Sequence, residues 1–339
     1  MNIFKLLFLL LTTVVINFSL LAHDIDLTKN DVTEIDVSLH INKLYQVETK
    51  NQTFKLDAYL VMRWIKPKNQ ITEGLYENNQ IQHAINDGLW LPAIEFINVL
   101  GHREVSNRHV VIDKDRVTYN ERFTSTFTTK MDFKKFPFDS QSFIIEMEPF
   151  SYGVDKIIFN KVKVTPEDIV DVIDSQWYFK KPYVTNITPH SYSHLSRDGE
   201  PNIEYSRLII KINADRISSF YIWQFILPLA LIIISSWAVF WIPGFGERLS
   251  TSFTLMLTVV AYNFYTSNLL PRLPYTTLIE RMVIYSYLSI FAAIILIVIN
   301  RLRSPDNSGS TELIRTCRWL FPLGFACIMS LLIFRNFML

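Results

Sequence analysis

Residues 247–275 read ERLSTSFTLMLTVVAYNFYTSNLLPRLPY. The stretch is as long as a membrane span, yet a glutamate opens it and Ser, Thr and Asn run through it. Polar groups in hydrocarbon need partners, so these are either buried against neighbouring helices or turned towards water within the membrane. Taken as a helix and stepped by three and four, the stretch aligns Glu247, Ser250, Thr254, Leu257, Ala261, Phe264 and Asn268 on one stripe roughly 100° wide. The order along it is acid, two hydroxyls, three apolar residues, amide. One helix cannot enclose water, so a wet stripe demands several identical copies around an axis. In such a ring Glu247 forms a circle of carboxylates that selects cations. Ser250 and Thr254 replace part of an ion's hydration, and Leu257 and Phe264 are collars able to close by dewetting. The competing use of the hydroxyls is a bond to their own backbone or to a neighbouring helix.

Around this stretch the chain divides in two. Of its 339 residues 49% are apolar, the mean hydropathy is +0.18 and the formal net charge is +1. So balanced a charge excludes nucleic acid as the partner. Charged, alternating sequence fills the chain to about residue 215, and long apolar runs fill the rest. Segments at about 218–241, 249–270, 278–300 and 316–338 each approach the ~20 residues of a membrane-crossing helix. Pro228 is expected to kink the first, and Trp223, Trp237, Trp241 and Trp319 sit where interfacial anchors sit.

Residues 1–22, MNIFKLLFLLLTTVVINFSLLA, read as a secretory signal peptide. Export places 23–215 outside the cytoplasm, and four spans return the C-terminus to that side, with Arg301, Arg303 and Arg315 in a cytoplasmic connector. The two cysteines, Cys317 and Cys327, stand about 15 Å apart along a helix, beyond disulfide reach. Packing alone must hold the exported half.

That half reads as strands. In TFKLDAYLVMRW, Phe54, Leu56, Ala58, Leu60, Met62 and Trp64 alternate with Lys55, Asp57, Tyr59, Val61 and Arg63, a core face against a wet one. Similar runs occur at 35–41, 108–112, 122–128, 143–148, 157–164 and 207–213, with a short helix at 79–88. Many short strands and few helical patterns imply an all-β sandwich. The same alternation puts Glu146 and Glu148 on a wet face. No GxSxG, HExxH, P-loop or Cys-x-x-Cys occurs, so neither an enzyme nor a cofactor is expected. A binding sandwich with a passive anchor would need one span rather than four.

FPFDSQ at 136–141, WLPAIEFINV at 90–99 and SFTLMLTVVAYNFYTSNLLPRLPYTT at 252–277 resemble the pentameric ligand-gated ion channels, the Cys-loop receptor superfamily, and most of all its bacterial members. The resemblance covers nearly the whole mature chain. It implies an α+β membrane protein: an extracellular immunoglobulin-like β-sandwich (23–215) followed by a four-helix transmembrane bundle (216–339). It also implies a homopentamer in a bacterial inner membrane, with the second helix lining the pore. Animal receptors carry two cysteines bracketing the FPFD loop; here Thr129 and Phe143 stand in those places. By the same resemblance Phe136, a cis Pro137 and Asp139 touch the segment holding Pro271 and Pro274, and Asp139 pairs with Arg216, which couples sandwich to helices.

Agonists of the family bind between subunits in an aromatic box. The resemblance assigns Glu95, Glu148, Phe150, Tyr192 and Tyr205 to one face, and Tyr59 and Arg108 to the neighbouring subunit's face. Rings beside carboxylates suit an ammonium. Phe150 in place of Trp, and an acid at Glu95, favour a small primary amine, with monovalent cations as the permeating ions. Crowded carboxylates also titrate at shifted pH, so proton gating is the alternative. His190 and His194, four apart near the HLSRDGEPNIE turn, offer a pH- or zinc-responsive pair, but with no third ligand no metal site is expected.

Overall fold

The computed structural model describes residues 32–65, 73–166, 176–180, 183–192, 202–268, 271–303 and 312–338. The signal peptide, His194 and most of the flap turn lie outside these residues. Eleven described strands run β1 Thr33–Glu48, β2 Thr53–Ile65, β3 Gly74–Glu77, β4 Ile94–Phe96, β5 Val99–Asp113, β6 Arg116–Thr128, β7 Ser140–Pro149, β8 Ile157–Pro166, β9 Trp177–Phe179, β10 Val184–Ser191 and β11 Glu204–Arg216. They form a six-stranded sheet, β3-β5-β6-β2-β1-β8, and a five-stranded sheet, β10-β11-β7-β4 with β9 on β11. Helix α1, Asn79–Asn86, buries Ile81 and Ala84 at helical spacing.

The period-two pattern explains the sandwich. On β2 the residues from Phe54 to Trp64 at even positions are all buried, while Tyr59 and Arg63 are exposed. Phe143, Ile145 and Met147 of β7 and Leu208, Ile210 and Ile212 of β11 bring the second sheet's core face against Leu60 and Phe123 of the first. Strand β5 departs from even pairing: its register with β6 shifts between Leu100 and Glu104 and again between Val105 and Asn107. Gly101, at φ +85°, supplies the left-handed step within that bulge.

Helices follow at Ser219–Trp241 (α2), Phe245–Thr266 (α3), Leu278–Arg303 (α4) and Glu312–Met338 (α5). The chain before Pro228 widens into a π-helical turn at Ile222–Ile226, a local defect of the kind that accompanies bends. Helices α2 and α4 are long and apolar enough to cross a membrane. Helix α3 stops at Thr266, four residues short of the expected end, and Asn268 lies in the turn beyond it, donating from Nδ2 to the Phe264 carbonyl at 3.2 Å. The buried core runs without a break from the sandwich through Phe136, Tyr221 and Phe225 to Val259 and Val283 of the helices.

Candidate functional site

Helix α3 packs one face and exposes the other. Ser252, Val259, Tyr262 and Thr266 are buried against the chain's own helices, with the Tyr262 hydroxyl donating to the Phe225 carbonyl at 2.8 Å. Glu247, Ser250, Thr254, Leu257, Ala261, Phe264 and Asn268 are all exposed. The Thr254 hydroxyl donates to the Ser250 carbonyl at 3.0 Å and that of Thr258 to the Thr254 carbonyl at 2.8 Å. Each proton is thereby spent on the helix itself, and the oxygen lone pairs remain available on the outer side.

Sandwich and helices meet at a second cluster. The Phe136–Pro137 bond is cis. Asp139, 2% exposed at its side chain, takes both prongs of Arg216: Nε to Oδ1 at 2.8 Å and Nη2 to Oδ2 at 3.1 Å. The guanidinium also bonds Thr49 in the β1–β2 turn at 3.2 Å and the Tyr221 hydroxyl at 3.3 Å. Its centre lies 4.2 Å from the Trp177 ring and 4.9 Å from that of Phe136. Gln141 closes the loop by donating to the Asp132 carbonyl at 2.7 Å and accepting from the Asp132 amide at 3.0 Å. At Thr129, one of the two places where the resemblance would put cysteine, the hydroxyl donates to the Ser142 carbonyl at 2.8 Å. The loop reaches the 271–277 segment through the Phe133 amide, which donates to the Tyr275 hydroxyl at 3.1 Å. Arg281 at the start of α4 donates to the Lys134 carbonyl at 3.1 Å. Pro271 and Pro274 both precede Tyr275, but the bonds to the loop fall to Tyr275 and Arg281, which the sequence pattern does not single out.

A third cluster lies on the outer side of the five-stranded sheet. Glu148 and Glu95 are cross-strand partners on β7 and β4. The Tyr192 hydroxyl donates to Glu148 at 2.8 Å, and its ring meets that of Tyr205 at 5.8 Å, edge to face. Phe150 is exposed and lines a cleft of about 440 Å³ with Glu95. One expectation is overturned here: Glu148 is not wet but only 3% exposed. Arg207, one step beyond the Leu208↔Met147 pair of β11 and β7, covers it. Its Nε donates to Glu148 Oε1, its Nη2 donates to the Tyr192 hydroxyl at 2.9 Å, and its Nη1 lies 3.5 Å from Glu146. Burial, reinforced by Glu148, pushes the Tyr192 phenol above its ordinary pKa. Burial is the largest single influence on Arg207 and would lower it, yet the bond to Glu148 and the nearby charge of Glu148, Tyr192 and Glu146 together raise the guanidinium.

Tyr59 sits on the outer side of the other sheet. Arg122, paired with Asp57 at 2.8 Å, stands 5.7 Å from its ring. That hydrogen bond holds the Asp57 carboxyl below its usual range. Tyr59 and the Tyr192 cluster thus occupy opposite outer faces, and one chain does not bring them together. Arg108 does not join Tyr59 either: it lines a small cleft with Arg103, Tyr119 and Glu121, on the core-facing side of β6. The double register shift in β5 accounts for this, since residues around it cannot be placed by counting twos.

Among the described residues no group of three or more His, Cys, Asp or Glu is placed to hold a metal.

Comparison with known proteins completes the picture. The chain is 24% identical over 308 residues to a proton-gated ion channel of Gloeobacter violaceus, covering 89% of this chain and 83% of that protein. It is 28% identical over 283 residues to the gamma-aminobutyric acid receptor subunit beta-4 of Gallus gallus, covering 80% of this chain and 55% of the subunit, about half its length. The family model of the neurotransmitter-gated ion-channel ligand binding domain matches residues 22–217, a span that includes all the described strands of the two sheets. The chain belongs to the neurotransmitter-gated, pentameric ligand-gated ion channels.

Proposed function

We propose that the chain forms a homopentameric, cation-selective channel of a bacterial inner membrane, opened by a small primary amine bound between subunits. The observation that carries this reading is the stripe of six α3 residues, continued by Asn268 in the turn beyond, wholly exposed while the opposite face is buried. A helix that spends its apolar face on its own subunit and leaves acid and hydroxyl oxygens outside suits a shared aqueous axis. Glu247 then forms the selecting ring at the cytoplasmic mouth, and Leu257 and Phe264 the closing collars. Four spans hold the pore, with both chain termini outside the cytoplasm and lipid around the bundle. Tyr59 of one subunit faces Glu95, Glu148, Phe150, Tyr192 and Tyr205 of the next, because the two sets lie on opposite faces of each sandwich. Ligand-induced movement passes through Phe136, Pro137, Asp139 and Arg216 to the Pro271–Pro274 segment and tilts α3. Planar-bilayer recording of the purified protein with small amines tests this: unitary currents carried by monovalent cations are expected, and a silent bilayer overturns it.

A second reading, opening by protons, is favoured by the first relative, whose name is that of a proton-gated channel. Currents evoked by a pH step without any amine would select it.

A further inference from the structure

Both carboxylates that β7 turns outward are already engaged. Glu148 accepts from Arg207 Nε at one oxygen and from Tyr192 at the other, at 2.8 Å. Glu146 lies 3.5 Å from Arg207 Nη1. The same guanidinium stands 5.9 Å from the Tyr192 ring, the place where an ammonium would sit. Glu95, the cross-strand partner of Glu148, is exposed and has no hydrogen-bond or ion-pair partner among the described residues. One guanidinium therefore offsets two acids and leaves one free.

We propose that Arg207 is a built-in counter-cation that sets the charge of accepted ligands. Of these three acids it leaves Glu95 alone open to an ammonium, and so the site takes monoamines and discriminates against diamines. The inference rests on reading this cluster as the agonist site. An arginine suits the task because its planar fork holds two acids and a phenol at once, which the point charge of a lysine does not. Without it, Glu95, Glu146 and Glu148 would face a ligand together, and a second ammonium would gain an ion pair in place of a repulsion.

The test compares currents evoked by butylamine and by 1,4-diaminobutane at pH 7 in the full-length channel and its variants. Arg207→Met is expected to lower the ratio of half-maximal concentrations, diamine over monoamine, by about tenfold, the effect of one partly screened ion pair. Adding Glu148→Gln to Arg207→Met removes one of the two released acids and is expected to recover most of that change, which a merely structural role for Arg207 would not produce. Should Arg207→Met fail to assemble, Arg207→Gln read by amine-induced rise in melting temperature gives the same comparison. An unchanged ratio in a variant that still responds to butylamine overturns the proposal while the agonist reading stands. A wild-type channel deaf to both amines overturns both.

Discussion

At the scale of single residues, the Asp139–Arg216 pair is the most deeply buried ion pair among the described residues. Both groups are removed from water, and each is tolerable only because the other is present. Arg216→Met should therefore cost about 3–5 kcal/mol by stranding Asp139, while Arg216→Met with Asp139→Leu should recover much of the loss. Melting of the detergent-solubilised protein reads both. Asp57 gives a pH signature. A carboxyl held below its usual range stabilises the fold above the unfolded value of about 4, and that contribution disappears as pH falls through the lower folded value. Asp57→Asn should lower the melting temperature at neutral pH and converge with wild type towards pH 2–3, and a constant offset at every pH would refute the assignment. Much of this was legible in sequence: the resemblance pointed to Asp139 with Arg216, and the alternation put Tyr59 outside. Glu148 was misread because alternation reports which face a residue occupies, not what a neighbouring strand lays over it. Arg207 covers it only by virtue of the β11–β7 register, which no local pattern encodes.

At the scale of elements, the long strands follow from their period of two and the four helices from the length of their apolar runs, whereas β3, β4, β9 and β10 follow from neither. Strand β4 and strand β9 have three residues each and β3 has four, too short for alternation to declare itself. Strand β10 is mostly exposed along its length, so it offers no buried face to detect. Helix α3 shows how a polar pattern can mislead about length: Asn268 continues the stripe by spacing, yet it caps the helix through the Phe264 carbonyl instead of extending it. Two measurements bear on this element. Glu247→Gln should lower cation-over-anion selectivity, seen as a reversal potential displaced towards the chloride value in asymmetric salt. Leu257→Ala thins an apolar collar and should move the amine dose–response to lower concentration, by severalfold; a shift to higher concentration would place the barrier elsewhere.

At the scale of the whole molecule, the continuous core from sandwich to helices makes the chain one mechanical body whose two halves communicate through few polar links. Tyr275 is one of them, and Tyr275→Phe removes a single hydrogen bond, worth about 1 kcal/mol. Opening should become harder by a few-fold while amine affinity measured on the closed channel stays the same; an equal change in both would make Tyr275 part of the binding site instead. Assembly is open to direct weighing, since five copies of a chain of 39.7 kDa are expected in native mass spectrometry of the detergent complex. A further consequence follows from how the FPFD loop is fastened. Thr129 and Gln141 close it with hydrogen bonds, and both cysteines sit on α5 as free thiols. Dithiothreitol should therefore leave melting and currents untouched, and channels synthesised in a reducing cell-free extract should match those made by exporting cells.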